Sequence, residues 1–228
     1  MRKHMPSSLM SQISLVMSVV DYVRPTRVID IGVGCGKYGF LCRELIEIWH
    51  LGRPTFSPVS TAADSEVSVV IDGIEAFPEY LTELHSKIYD RVLHGDALAV
   101  MPDLPDGHYD LALAIDVLEH FSPDDGARFL SQCARIARRT VVVTPKRRYD
   151  QGPVHGNVWE THRSVWTPRS LARAGAKCVV DAGEGWLAIL GIWDKTDSRN
   201  LGRRLRESMP RLFRGGLFRL LWQKASGP

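Results

Sequence analysis

The chain has 228 residues, 44% hydrophobic and 24% charged, which suits one folded domain with a full core and excludes disorder throughout. The net charge of +3 is small, and the positive excess sits at the end of the chain, where Lys195, Arg199, Arg203, Arg204, Arg206, Arg211, Arg214, Arg219 and Lys224 meet only Asp197 and Glu207. Cys35, Cys42, Cys133 and Cys178 form no C-x-x-C pair and have no His at metal-ligand spacing, which excludes a zinc knuckle and a disulfide framework and leaves reduced thiols in a cytoplasmic protein as the expectation.

No stretch is long and apolar enough to span a bilayer. Arg2-Lys3-His4 opens like a secretion signal, but Ser11, Gln12, Ser14 and Ser18 interrupt the apolar run that follows, and no small-x-small cleavage site comes before Asp21. Leu9, Ile13, Val16, Met17 and Val20 fall on one face at helical spacing, with Ser7 or Ser8 as N-cap and Arg24-Pro25 as the stop. A packing helix therefore precedes the first strand, Val28 to Ile31. Gly32, Gly34 and Gly36 then allow a sharp turn into a helix carried by Phe40, Leu41, Leu45, Ile46 and Ile48 to about Trp49.

Without Cβ atoms at these positions a ligand can lie almost on the main chain, and the free N–H groups of the helix start point towards its anionic part. Gly34-x-Gly36-x-x-Gly39 also fits the dinucleotide pattern G-x-G-x-x-G. Asp30 separates the two ligand classes: an acid on the strand repels a pyrophosphate and welcomes a ligand with an ammonium or sulfonium near its carboxylate. Residues 51 to 65 carry no period and are expected to form a surface insertion.

Val67 to Ile74 is the next buried strand, with Glu75 at its end and Pro78 opening a helix. A carboxylate at the tip of the second strand can accept from both hydroxyls of a ribose, and Glu75 suits this better than Asp72, which lies inside the run. Arg91 to His94 reads as a third strand, followed by Gly95-Asp96-Ala97 and a short helix at 97 to 101 for which Asp96 is the N-cap. Tyr109 to Ile115 is the fourth strand, ending in Asp116-Val117-Leu118-Glu119-His120. Ser122-Pro123-Asp124-Asp125 caps a helix to about Arg138, and Thr140 to Val143 is the fifth strand. After a long loop, Thr167-Pro168 starts a helix, and Lys177 to Asp181 and Trp186 to Trp193 are strand-like runs with no room for a helix between them. Strands alternating with helices imply a mostly parallel sheet covered on both sides.

The spacing Asp30-x-Gly32-x-Gly34-x-Gly36 resembles motif I of the class I S-adenosylmethionine-dependent methyltransferases, and the late hairpin is that family's departure from the dinucleotide fold. The resemblance covers roughly residues 10 to 193. It implies an α/β fold with a Rossmann-like seven-stranded, mostly parallel sheet, a terminal antiparallel hairpin and helices on both faces, and S-adenosyl-L-methionine as cofactor. It further implies that Gly32, Gly34 and Gly36 wrap the methionine part, that Asp30 helps to hold its amino group, that Glu75 takes the ribose and that Asp96 and the Ala97 backbone take the adenine. Asp116, which opens the segment after the fourth strand, joins this cofactor set.

The activity expected is methyl transfer to a small-molecule or lipid- or sugar-linked acceptor. An NAD-dependent oxidoreductase and a cofactor-binding protein without transfer activity are the rivals. Loops after the fourth and fifth strands should face the methyl group, and a base is needed only if the acceptor carries a proton. His120, His155 and His162 are the candidates for it. The spacing of these histidines and Glu160 matches no metal-ligand pattern, so no metal is expected. Residues 1–194 are read as the methyltransferase domain and 195–228 as a basic amphipathic tail, a candidate for peripheral membrane contact; no motif points to nucleic acid.

Overall fold

The computed structural model describes residues 7–51, 69–154 and 156–208; most of the expected insertion, His155 and the chain beyond Ser208 lie outside them. Helix α1 (Ile13–Val23) ends on Arg24, whose left-handed conformation (φ 48°) lets its N–H reach the Val20 carbonyl at 2.9 Å. Strand β1 (Arg27–Ile31) feeds the glycine turn and α2 (Lys37–Arg43), which continues as a π-helical segment to His50.

Three further parallel strands follow in the chain: β2 (Val70–Glu75), β3 (Arg91–His94) and β4 (Tyr109–Ile115), the last two separated by the short helix α4 (Ala97–Val100), with α3 (His85–Ile88) ahead of β3. The helix expected after Pro78 is only a 3₁₀ turn, Pro78–Tyr80. Helix α5 (Pro123–Ile136) opens on a Ser122 side chain that accepts from the Asp125 N–H, and it runs directly into β5 (Ala137–Pro145). After the long loop come α6 (Pro168–Arg173), β6 (Cys178–Ala182), β7 (Gly185–Gly191) and α7 (Lys195–Ser208).

The strands form one sheet in the order β3-β2-β1-β4-β5-β7-β6, with β7 antiparallel to both neighbours. This is the seven-stranded, mostly parallel arrangement with a terminal hairpin that the sequence leads one to expect. Alternation sends Val28, Leu111, Leu113, Val141 and Val143 into one layer of core, and Ile29, Ile31, Ala112, Ala114 and Val142 into the other. The first layer is closed by α1, α2 and α7, and the second by α5 and α6, with Phe129, Leu130, Cys133, Ile136 and Leu171 fully buried.

The expected boundary at residue 194 falls inside the packed body. Leu201 and Leu205 of α7 are fully buried against the α1 side of the core. Asp197 accepts from the Tyr22 hydroxyl at 2.7 Å and from Arg139 at 3.0 Å, Arg139 lies over the Trp193 ring, and Arg204 pairs with Asp21. An amphipathic, basic helix read as a surface element is thus a docked one as far as Ser208. Cutting the chain after Asp194 should lower the melting temperature substantially, because two buried leucines are lost at about 1.5–3 kcal/mol each. A thermal melt that matches the full chain would show that the docking contributes nothing.

Candidate functional site

A cavity of about 950 Å³ opens at the carboxyl ends of β1, β2, β4 and β5. Its floor is the glycine turn. Gly32, Gly34 and Gly36 have φ of 75°, 50° and 79°, which other residues adopt only at a cost, and a Cβ on Gly32 would stand 2.6 Å from Val117 Cγ2. The turn is tied down from several sides: the Gly32 and Val33 N–H groups donate to the Ile74 carbonyl, and the Gly34 N–H donates to Glu75 Oε2 at 3.0 Å. Buried His85 holds the Gly34 carbonyl at 3.0 Å. Since its Nδ1 accepts from the Thr82 N–H, the tautomer with Nε2–H donating to Gly34 is assigned from this network.

Carboxyl groups crowd the same end of the sheet. Asp30 is buried on the α2 side of β1 and accepts from the Tyr89 hydroxyl at 2.6 Å, and burial pushes its pKa up to about 7. Asp116 follows β4 in a left-handed conformation (φ 56°), unusual for a residue with a side chain. Burial raises it to about 6, against hydrogen bonding from Gln12 and the charge of Lys37, and its Oδ1 is buried without a hydrogen-bond partner among the described residues. Lys37 itself reaches the Ser8 carbonyl, so the segment Ser7 to Gln12 roofs this corner.

Glu75, 6% exposed, accepts from Gly34 through Oε2 and from the Phe77 N–H through Oε1 at 2.9 Å; burial raises its pKa. A carboxylate has about four acceptor sites, so hydroxyls can still be bound there. Asp72 does not line the cavity: it is buried on the opposite face of the sheet, taking Tyr109 Oη at 2.6 Å and Arg91 Nε at 2.8 Å. Asp96 lines the cavity with Ala97 and accepts from the Leu98 N–H at 3.0 Å as N-cap of α4.

The opposite wall belongs to the loop between β5 and α6. Its Arg163 and Ser164 N–H groups both donate to the Glu119 carbonyl, at 2.8 and 3.1 Å, which clamps the loop to the segment after β4. Trp166 anchors it from below, 5% exposed, with Nε1 donating to Ser164 Oγ at 2.9 Å and its ring against Gly126 of α5. This clamp sets His162 beside His120, ring centroids 5.0 Å apart. Burial lowers the pKa of both rings, which keeps them neutral at pH 7.

Glu119, missed in the reading of the sequence as a site residue, lies with them. It is 2% exposed, accepts from Thr144 Oγ1 at 3.2 Å, and burial raises its pKa well above the usual range, with the Asp116 charge adding to the effect. A buried acid next to His120 was present in the segment 116 to 120, but its meeting with His162 required the fold. His155 falls outside the described residues.

A family model described as "Methyltransferase domain" matches residues 58–143. Among solved structures, a SAM dependent methyltransferase from Archaeoglobus fulgidus is 19% identical, with 72% of this chain and 64% of that one covered and a TM-score of 0.48. Monomeric WbdD is 17% identical over 81% of this chain and 42% of its own, with a TM-score of 0.55. A protein of Pyrococcus horikoshii OT3 is 13% identical over 79% and 89%, with a TM-score of 0.53. No curated protein matches the chain. The chain spans less than two thirds of the first two solved relatives. Residues 58–143 thus match a methyltransferase domain, and this match and the strand order of the sheet are consistent with the class I S-adenosylmethionine-dependent methyltransferases and with S-adenosyl-L-methionine as cofactor. The dinucleotide reading is set aside, in keeping with the acids that crowd the glycine turn.

Gly126 allows a test of the loop's anchor. Glycine-to-alanine in a helix ordinarily stabilises by up to about 1 kcal/mol. Here the new Cβ would stand 2.5 Å from Trp166 Cζ2 and 3.2 Å from Leu118 Cδ1. Overpacking of about 1–3 kcal/mol should win. Gly126→Ala is therefore expected to lower the denaturant midpoint, and a stabilised variant would show that Trp166 is free to move.

Proposed function

We propose that the chain transfers a methyl group from S-adenosylmethionine to a small-molecule or lipid- or sugar-linked acceptor, with no part played by nucleic acid. The observation that carries this reading is the set of buried carboxyls at the glycine turn, above all Asp116 Oδ1, buried without a hydrogen-bond partner among the described residues where a cationic ligand group would satisfy it. Gly32, Gly34 and Gly36 would lie along the methionine part between Asp30 and Asp116, Glu75 would take the ribose hydroxyls, and Asp96 with Ala97 would meet the adenine. When bound, the cofactor supplies a methyl group already activated by sulfur. The protein's own contribution is then to hold acceptor and cofactor in line and keep water out.

Room for an acceptor lies between that cofactor set and the clamped loop, where Tyr149, Gln151, Asn157, Trp159 and Arg163 line the cavity. His120 and His162, neutral at pH 7, can accept a proton there if the acceptor carries one. His155 keeps its place as a third candidate from the sequence. Cytoplasmic location and membrane contact through residues beyond 208 remain part of the proposal; among the described residues no helix is long and apolar enough to cross a membrane.

The buried acids give the reading a pH signature. A carboxyl whose pKa is raised in the free protein must lose its proton to face an ammonium or sulfonium, so binding releases protons and affinity rises with pH until the free-state pKa is passed. With Asp116 raised to about 6 and Asp30 to about 7, S-adenosylmethionine affinity should climb from about pH 5.5, by up to about tenfold per unit for each carboxyl that must ionise, and level off only once both pKa values are passed. Asp30→Asn should flatten the upper part of that slope and weaken binding. Calorimetry in two buffers of different ionisation heat reads both; affinity and heat independent of pH and buffer would refute the assignment.

Glu75→Ala should weaken the cofactor by roughly 1.5–3 kcal/mol, the worth of hydrogen bonds to a charged acceptor. Gly34→Val should abolish binding in a protein that still melts cooperatively. Cofactor binding without a methylated product from any acceptor in a cell extract would favour a binding protein without transfer activity.

A further inference from the structure

We propose that Glu119, His120 and His162 form a binding site for a divalent transition-metal ion, and that the ion's open positions take an oxygen of the methyl acceptor. One ligand atom from each residue lies within 4.8 Å of the others. Metal–ligand bonds of about 2.0–2.2 Å place two ligands on one ion up to about 4 Å apart, so small side-chain rotations close the site. Two imidazoles and one carboxylate on one side of an ion suit zinc, cobalt, iron or manganese and leave positions free for an incoming group.

The surrounding bonds look like support for ligands. Glu119 accepts from Thr144 Oγ1 at 3.2 Å, and His120 Nδ1 stands 3.4 Å from the Thr161 carbonyl, an outer partner that orients an imidazole. The two halves of the site are 42 residues apart in sequence but are joined through the main chain, since the residues directly after His162 donate to the carbonyl of Glu119 itself. The His162 N–H donates in turn to the Gln151 carbonyl at 2.9 Å. A site fixed by backbone bonds on both sides of the cavity needs little reorganisation to take an ion.

The expectation of no metal looked for sequence spacing among the histidines and Glu160; the group that completes the set is Glu119. All three residues line the same cavity as the cofactor set, on the side left for the acceptor. An ion here favours an oxygen-bearing acceptor, because it would bind and orient a hydroxyl or carboxylate group. An ion held by both imidazoles takes the lone pairs that would otherwise accept the acceptor's proton, so with the ion bound the two histidines act as ligands and not as bases. This second half rests on the methyl-transfer reading, whereas the ion site does not.

The test uses the full chain, stripped with a chelator and titrated with Co²⁺ alone, read by visible absorption and equilibrium dialysis. One ion per chain is expected, with affinity reduced at least tenfold in both Glu119→Gln and His162→Ala. Cofactor affinity in these variants should stay within about twofold of the wild type, which shows that they are folded; His162→Ala leaves the backbone clamp untouched. Acetohydroxamate, a small oxygen chelator, should then change the cobalt spectrum of the wild type.

Absence of stoichiometric cobalt, or binding unaltered in both variants, would overturn the site. Bound cobalt blind to acetohydroxamate would overturn the role of the open positions. Cobalt bound as expected with no S-adenosylmethionine binding would instead refute the methyl-transfer reading and leave the ion site standing.

Discussion

The pairing of β1 with β4 is the constraint on which the cavity depends. These two strands lie side by side in parallel register, Ile31 against Ala114, yet the chain leaves them for opposite parts of the sheet, β1 towards β2 and β4 towards β5. A crevice opens between their exits, and everything that touches it must fit there: Gly32, with no side chain, against Val117 on one side, and Asp116, held in a left-handed turn, on the other. A larger residue at 32 would push Val117 and with it the segment carrying Glu119 and His120. The glycine is thus as much a spacer between two loops as a place for ligand backbone contact.

The second consequence of that crevice is electrostatic. Asp30, Glu75, Asp116 and Glu119 are drawn out of water into one region, and burial is the largest cause of the upward shift in each. Backbone N–H groups satisfy Glu75, a tyrosine hydroxyl satisfies Asp30, and Lys37 stands near Asp116, but these partners do not cancel the burial. A fold selected for stability alone would have little reason to gather acids here. Stored unfavourable burial of this kind is relieved by a positively charged ligand, which connects the local energetics to cofactor recognition.

Much of this was legible in the sequence, and the reasons differ from part to part. The strands β1, β4 and β5 are apolar runs buried on both faces, which a linear reading recovers because both neighbours in sequence are hydrophobic. Glu75 and Asp72 could be ranked because the last residue of a strand reaches the crevice and one inside it follows alternation, and the structure places Asp72 on the far face with Tyr109 and Arg91. Helix α7 was not legible as part of the body. Leu201 and Leu205 at helical spacing among arginines look the same whether the apolar face rests on a membrane or on α1, and only the position of Asp21 and Tyr22 in space decides it.

The loop between β5 and α6 shows the same limit at the site itself. Its sequence is rich in His, Arg, Trp and Asn but has no period, so which of its groups enter the cavity depends on where the loop is fastened. Trp166 fills the space beside Gly126, and the main chain of residues 163 and 164 bonds to Glu119. Those fastenings turn His162 inward and set it beside Glu119, a buried acid of the same cavity that lies outside the proposed cofactor set. The cavity therefore has two differently built ends: a rigid, glycine-based end shaped by strand register, and an end made of side chains whose geometry is set by one loop docking on another. Change of acceptor between related chains can fall on the second end without disturbing the first, because the clamp shares no residue with the glycine turn.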